Sequence, residues 1–169
     1  QRIQDRMSED RRALHAMAET GMSLPRTTQY CFDRLTKMGY YPKKFSSGGI
    51  VCTVGKGEKC VLLRADMDAL PIKEESGEAF SSKTDAMHAC GHDIHFAAAL
   101  GLLLLLKPHE DELDHAVKVF FQPAEETIGG ADDMIKLGIV YLENGCYRGK
   151  RIISKEWVNT VFDRGYELR

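Results

Sequence analysis

The chain has no apolar run long enough to cross a bilayer; its longest, Phe96 to Leu106, falls far short of the roughly 20 residues a spanning helix needs. It has no excess of charge of either sign. Lys and Arg number 23 and Asp and Glu 25, which leaves -2 over 169 residues and argues against nucleic acid or anionic membrane as the main partner. It has no paired cysteines by spacing: Cys31, Cys52, Cys60, Cys90 and Cys146 are odd in number and far apart. In a chain too large to need staples this indicates reduced thiols in a cytoplasmic setting. No signal-peptide pattern follows Gln1, and there is no internal repeat or low-complexity tract.

What is present is ordinary globular material, 43% hydrophobic and 28% charged, enough for one core. Apolar residues at helical spacing from Ile3 to Ala18 predict one helix, and Pro25 opens a second that Gly39 ends. Ile50–Val54 reads as a short strand. Cys60–Ala65 is apolar on both faces and is expected to be a central strand of a covered sheet. Residues 66–91 read as a long loop, which inside a compact domain is usually functional. His92–Leu106 is apolar almost all round, hence a buried helix, and Val117–Phe121 is the next strand. The alternation gives an α/β class, with a mixed sheet and helices on both faces.

Three polar clusters stand where such sheets bind ligands, beyond strand ends or at a helix start. They are Asp66-Met67-Asp68, His88-Ala89-Cys90-Gly91-His92-Asp93, and Glu125-Glu126. A lone Cys or His is more often structural, and adjacent acids more often a solvated helix start. Three histidines, a cysteine and an aspartate within 88–95 shift the balance toward a metal. Gly91 lets the backbone fold so that Cys90 and His92 reach one point, and a thiolate with an imidazole suits Zn, Mn, Co or Ni better than Mg or Ca. Of two neighbouring glutamates, one can hold a metal while the other moves a proton, so Cys90, His92 and Glu126 are the candidate ligands and Glu125 the candidate acid and base. Together the clusters describe metal-assisted hydrolysis of an amide.

The stretches Leu63-Arg64-Ala65-Asp66-Met67-Asp68-Ala69-Leu70-Pro71-Ile72, Met87-His88-Ala89-Cys90-Gly91-His92-Asp93 and Phe121-Gln122-Pro123-Ala124-Glu125-Glu126, with Gly129-Gly130-Ala131, resemble the aminoacylase/carboxypeptidase metallohydrolases. The closest branch is that of the hippurate, auxin-conjugate and N-acetyldiaminopimelate amidohydrolases, over about residues 8–135. The resemblance implies a truncated dinuclear-metallopeptidase catalytic domain with two divalent ions in a complete site. It implies Cys90, His92 and Glu126 as ligands, Glu125 as general base, and Asp66 and Asp68 behind the ligands, fixing their geometry. It further implies N-acyl amino acids or small peptides as substrates, and homodimers formed through an inserted domain absent here.

Two departures stand out. The family's proline-glutamate-leucine run after the first helix is replaced by Ala18-Glu19-Thr20. The family also needs two further histidine ligands downstream, and no histidine lies beyond His115. Residues 136–169 do not continue the pattern and resemble an internal stretch of serine β-lactamase-like hydrolases, with a join expected near 134–138. No Ser-x-x-Lys motif occurs anywhere, so that tail brings no serine chemistry. The expectation is a partial catalytic domain over 1–135. Two alternatives remain: an inactive metal-binding remnant or fusion fragment, and a cysteine-nucleophile hydrolase using Cys90 with His92 or His88.

Overall fold

The computed structural model describes residues 2–45, 48–57, 59–127, 129–131, 146–147 and 150–151. Helices α1 (Ile3–Ala16) and α2 (Pro25–Lys37) open the chain. Pro25 occupies the first turn of α2, where its missing N–H is no loss. Glu19 lies outside the helix and accepts hydrogen bonds from the backbone N–H of Arg26 (3.3 Å) and Thr27 (2.9 Å) and from the Thr27 hydroxyl (2.9 Å). A carboxylate thus satisfies free N–H groups that Leu24, at the cap position, cannot. The replaced Ala18-Glu19-Thr20 run therefore still supplies the acid that starts α2. At the other end Gly39 takes a φ of 84°, and its N–H and that of Tyr40 donate to Thr36 and Leu35 carbonyls, a Schellman closure. Buried Asp10 joins the helices, accepting from the Tyr30 hydroxyl at 2.6 Å and from Arg34 at 2.7 and 2.9 Å.

Strands β1 (Lys43–Lys44), β2 (Ile50–Val54), β3 (Cys60–Asp66) and β4 (Ala116–Gln122) form one mixed sheet in the order β1-β2-β4-β3. β2 runs antiparallel to β4, with Ile50 opposite Phe121. β3 runs parallel to β4, with Ala65 beside Phe121 and Asp66 beside Gln122. A parallel pair requires a crossover. Here it consists of the irregular segment 67–91, helix α3 (His92–Leu106) and a 3-10 turn at Lys107–His109. Ile50, Cys52, Val54, Ala65, Val119 and Phe121 alternate onto one sheet face and pack with Leu14, Leu35, Phe96, Leu100 and Leu103 from all three helices. The α/β class with a mixed sheet is thus the one the sequence implies. Among the described residues the helices lie on that face; Val51, Thr53, Lys118 and Phe120 on the other are half-buried, and Leu62 and Arg64 are exposed.

One expectation is corrected. Cys60–Ala65 reads as a central strand, yet β3 is the sheet edge among the described residues, and β4 has neighbours on both sides. Val61, Leu62 and Leu63 are 55%, 59% and 37% exposed. Apolar character on both faces reports how thoroughly a strand is covered, not which neighbours it has within the sheet. Farther on, Cys146–Tyr147 pairs antiparallel with Lys150–Arg151. The expected join at 134–138 and the rest of the tail lie outside the described residues. No described helix is long and apolar enough to cross a membrane, and Cys31, Cys52, Cys60 and Cys90 are free thiols.

Candidate metal centre

Because β3 and β4 run parallel, their carboxyl ends bring Asp66 to Asp68 and Glu125-Glu126 to the same edge, and the start of α3 faces that edge. Gly91, at φ 81°, turns the chain between Cys90 and His92 in the left-handed region that side chains disfavour. The Cys90 sulfur, a His92 nitrogen and a Glu126 oxygen lie within 4.8 Å of one another. His92 Nδ1 donates to the Asp68 carbonyl at 2.7 Å, which leaves the Nε2 lone pair free. That Nε2 lies 3.6 Å from Glu126 Oε1 and 3.6 Å from Glu125 Oε2.

The donor set passes a chemical test of fit. Glu126 Oε1 is buried without a hydrogen-bond partner, an expensive state for a carboxylate unless a cation satisfies it. Thiol, imidazole and carboxylate together match borderline-soft divalent ions.

Asp68 and Asp66 stand behind this group. Asp68 is fully buried, and its two oxygens accept the backbone N–H of Glu125 (2.9 Å) and of Glu126 (3.1 Å). The turn they fasten contains Ala124 at φ 55°, the sole non-glycine with positive φ among the described residues. Such strain persists where its surroundings over-determine it. Asp66 accepts from His95 Nδ1 at 2.7 Å, lies 3.3 Å from Arg64 Nη2 and is 3.9 Å from His92 Nε2. Burial raises its pKa, but the His95 hydrogen bond and the nearby positive charge outweigh that and hold the carboxyl below its ordinary value. Arg64 also lies 3.8 Å from Glu125 Oε1 and donates to the Gln122 side chain at 2.7 Å.

The electrostatics do not suit a cysteine nucleophile. The Cys90 thiol, although exposed, is pushed up by its hydrogen bond to Glu126, then by slight desolvation, then by the negative charge of Glu126, Glu125 and Asp66. A nucleophilic thiol needs the opposite surroundings. His88, a candidate base, is buried with neither ring nitrogen partnered, and burial takes its pKa down to about 4. Among the described residues no group orients it as a base. A bound cation would itself supply the positive charge that a thiolate requires.

Two features escape a reading of the sequence. His95, one turn beyond His92, reaches Asp66, a placement that its i, i+3 spacing allows but does not require. Asp93, fully buried, accepts from His15 Nδ1 (2.8 Å) and Arg11 Nε (2.7 Å), and His15 Nε2 lies 3.1 Å from Glu74. This network locks α1, the 67–91 segment and the start of α3 together. Nothing in the spacing of residues 11, 15, 74 and 93 announces it.

Comparison with known proteins places these motifs. A deacetylase of N-acetyldiaminopimelate from Halalkalibacterium halodurans is 45% identical over 130 residues, 74% of this chain and 34% of that protein. IAA-amino acid hydrolase ILR1-like 5 of Arabidopsis thaliana is 42% identical over 137 residues, 79% of this chain and 31% of that protein. The crystal structure of YXEP from Bacillus subtilis, a dinuclear metal-binding peptidase from the M20 family, superposes with a TM-score of 0.77 at 32% identity, over 82% of this chain and 40% of that one. The chain thus spans about a third of the length of the curated relatives it matches. The profile of peptidase family M20/M25/M40 matches residues 62–156, across the join expected near 134–138, and a β-lactamase-like tail finds no support. By that match, which takes in all three polar clusters, the chain belongs to peptidase family M20/M25/M40.

Proposed function

We propose that this chain carries the front part of a metal-dependent amidohydrolase acting on N-acyl amino acids or small peptides. The observation that carries the reading is the convergence of Cys90, His92 and Glu126 within 4.8 Å, with Glu125 3.6 Å from His92 Nε2. The activities for which the relatives are named, deacetylation of N-acetyldiaminopimelate and hydrolysis of IAA-amino acids, support an N-acyl amino acid as the substrate class.

In this reading Cys90, His92 and Glu126 hold a divalent ion of the Zn, Mn, Co or Ni class. Such an ion, when bound, would supply polarisation of the scissile carbonyl and a lowered pKa for water. Glu125 takes the proton from the attacking water on its carboxylate and delivers it to the departing amine nitrogen. Asp68 holds both glutamates in register through their backbone N–H groups, and its carbonyl fixes the His92 tautomer. Arg64 lies 3.8 Å from the proton-moving carboxylate and 3.3 Å from Asp66.

The described residues offer three ligands for the first ion, so we expect the 169-residue chain alone to bind one ion weakly and to lack turnover. The free thiols support a reducing, cytoplasmic compartment. The test is native mass spectrometry with added Zn, together with an assay on N-acetyl and N-benzoyl amino acids. One ion per chain, lost in His92→Ala, with no hydrolysis is the expected result. Turnover by the isolated chain that Glu125→Gln abolishes would overturn the incompleteness, and two tightly held ions in a monomer would overturn the ligand count.

A further inference from the structure

Two donor sets meet at His92, and only one nitrogen of that ring is free. Cys90 and Glu126 form one group with it. Asp66 and His95 form another, in which each of the three residues, His92 included, places one ligand atom within 4.8 Å of the others. The His92 and His95 rings lie nearly parallel, with centroids 5.8 Å apart and 28° between planes. Asp66 Oδ2 is 3.9 Å from His92 Nε2, and Asp66 Oδ1 is 2.7 Å from His95 Nδ1. For bonds of about 2.1 Å, tetrahedral ligand atoms sit roughly 3.4 Å apart, inside the 4.8 Å that the three ligand atoms span. His95 is 58% exposed, so its ring is free to swing the short distance outward. A cleft lined by Leu63, Arg64, Asp66, His95, Ala98 and Leu102 gives access from solvent.

We propose that Asp66, His92 and His95 form a second, thiolate-free cation site that competes with Cys90 and Glu126 for the single free nitrogen of His92. The proposal rests on the reading of Cys90, His92 and Glu126 as ligands. It adds a position to which the same ion moves when the thiolate is lost. Binding there replaces the proton shared by His95 and Asp66. In the neutral ring that proton leaves Nδ1 and a solvent proton fills the exposed Nε2, so no net proton is released. Because His92 Nδ1 is engaged with the Asp68 carbonyl, it cannot serve a second ion, and the two positions among the described residues are occupied one at a time. Cys90 is exposed. Its oxidation or alkylation therefore shifts the cation rather than expelling it.

Cobalt(II) distinguishes the two positions, because a thiolate ligand adds a sulfur-to-metal charge-transfer band in the near ultraviolet and nitrogen or oxygen ligands do not. The chain, Cys90→Ala, His95→Ala and the double variant are titrated with cobalt(II), with far-ultraviolet circular dichroism as the control for folding. The intact chain and His95→Ala should show the band. Cys90→Ala should bind one ion without it, at least tenfold more weakly, and the double variant should lose a further tenfold or more. A Cys90→Ala protein that is folded but binds no cobalt, or binds it equally well with and without His95, overturns the proposal. Absence of the band in the intact chain overturns the assignment of Cys90 as a ligand and is read independently of the His95 series.

Discussion

The carboxylate of Asp68 receives the backbone N–H of Glu125 at 2.9 Å across 57 residues of sequence, and its second oxygen receives that of Glu126 at 3.1 Å. One buried side chain thus sets the position of both glutamates, while its own carbonyl sets the tautomer of His92. The first prediction is that Asp68→Ala destabilises the fold by about 2 kcal/mol, since it leaves two partly buried N–H groups without a charged acceptor. Asp68→Asn, which keeps one oxygen acceptor, should lose roughly half as much. Urea unfolding measures both, and a loss under about 0.5 kcal/mol for the alanine variant would show that the turn is held by other means.

The paired glutamates should separate by role in a full-length relative. Glu125→Gln keeps the side-chain shape but cannot accept a proton, so turnover should fall by roughly 10²–10⁴ with metal content intact. Glu126→Gln should lower cation affinity by about tenfold or more. Metal analysis alongside kinetics decides between them, and metal loss in the Glu125 variant would mean that the two roles are exchanged.

His88 makes the metal-free fold acid-sensitive. Its folded pKa of about 4 lies below the ordinary histidine value of about 6.5 because burial opposes its charge. The unfolded chain therefore binds more protons between those values, and stability rises with pH through that window. It is fully present above pH about 6.5 and is lost progressively as pH falls toward 4, by up to roughly 3 kcal/mol. Glu74, held down to about 2 by hydrogen bonds from Ser76, Ser82 and His15 that outweigh its burial, loses its own contribution only below its ordinary value near 4.5. Thermal unfolding of His88→Leu at pH 7 and pH 5 should show a smaller difference than the unaltered chain. An equal difference would assign the acid sensitivity elsewhere.

The edge of β3, open among the described residues, should make the isolated chain self-associate, because an apolar strand with unpaired backbone groups is a template for further pairing. Leu62→Lys, on the exposed part of the strand, should reduce association without loss of fold. Sedimentation velocity across a concentration series is the measurement, and unchanged association in the variant would clear this edge of responsibility.

Much of this was legible in the residues themselves. The bounds of α3 agree with the apolar stretch His92–Leu106, and Gly39 and Pro25 punctuate α2 as their backbone chemistry requires. Gathering of the three polar clusters followed from their places at strand ends. The illegible part had physical causes. Whether β3 was central or edge depended on its neighbours in space, which period-2 patterning does not encode. The hydrogen bond from His95 to Asp66 depended on helix phase relative to a strand. The His15–Asp93 bond joins residues 78 apart that no local rule connects.

The parallel pairing of β3 with β4 has a kinetic consequence. Those strands meet only after the whole crossover, from Met67 through α3, has been laid between them, so their contacts are far apart in the chain and costly to close. The Asp68 bonds to the glutamate turn are among the last native contacts expected to form. A transition state lacking β4 would hold Cys90 and His92 at the start of a nascent helix, without Glu126. The donor group then appears with the final docking of one strand rather than by stages, and substitutions at Asp68 should speed unfolding while leaving the folding rate nearly unchanged.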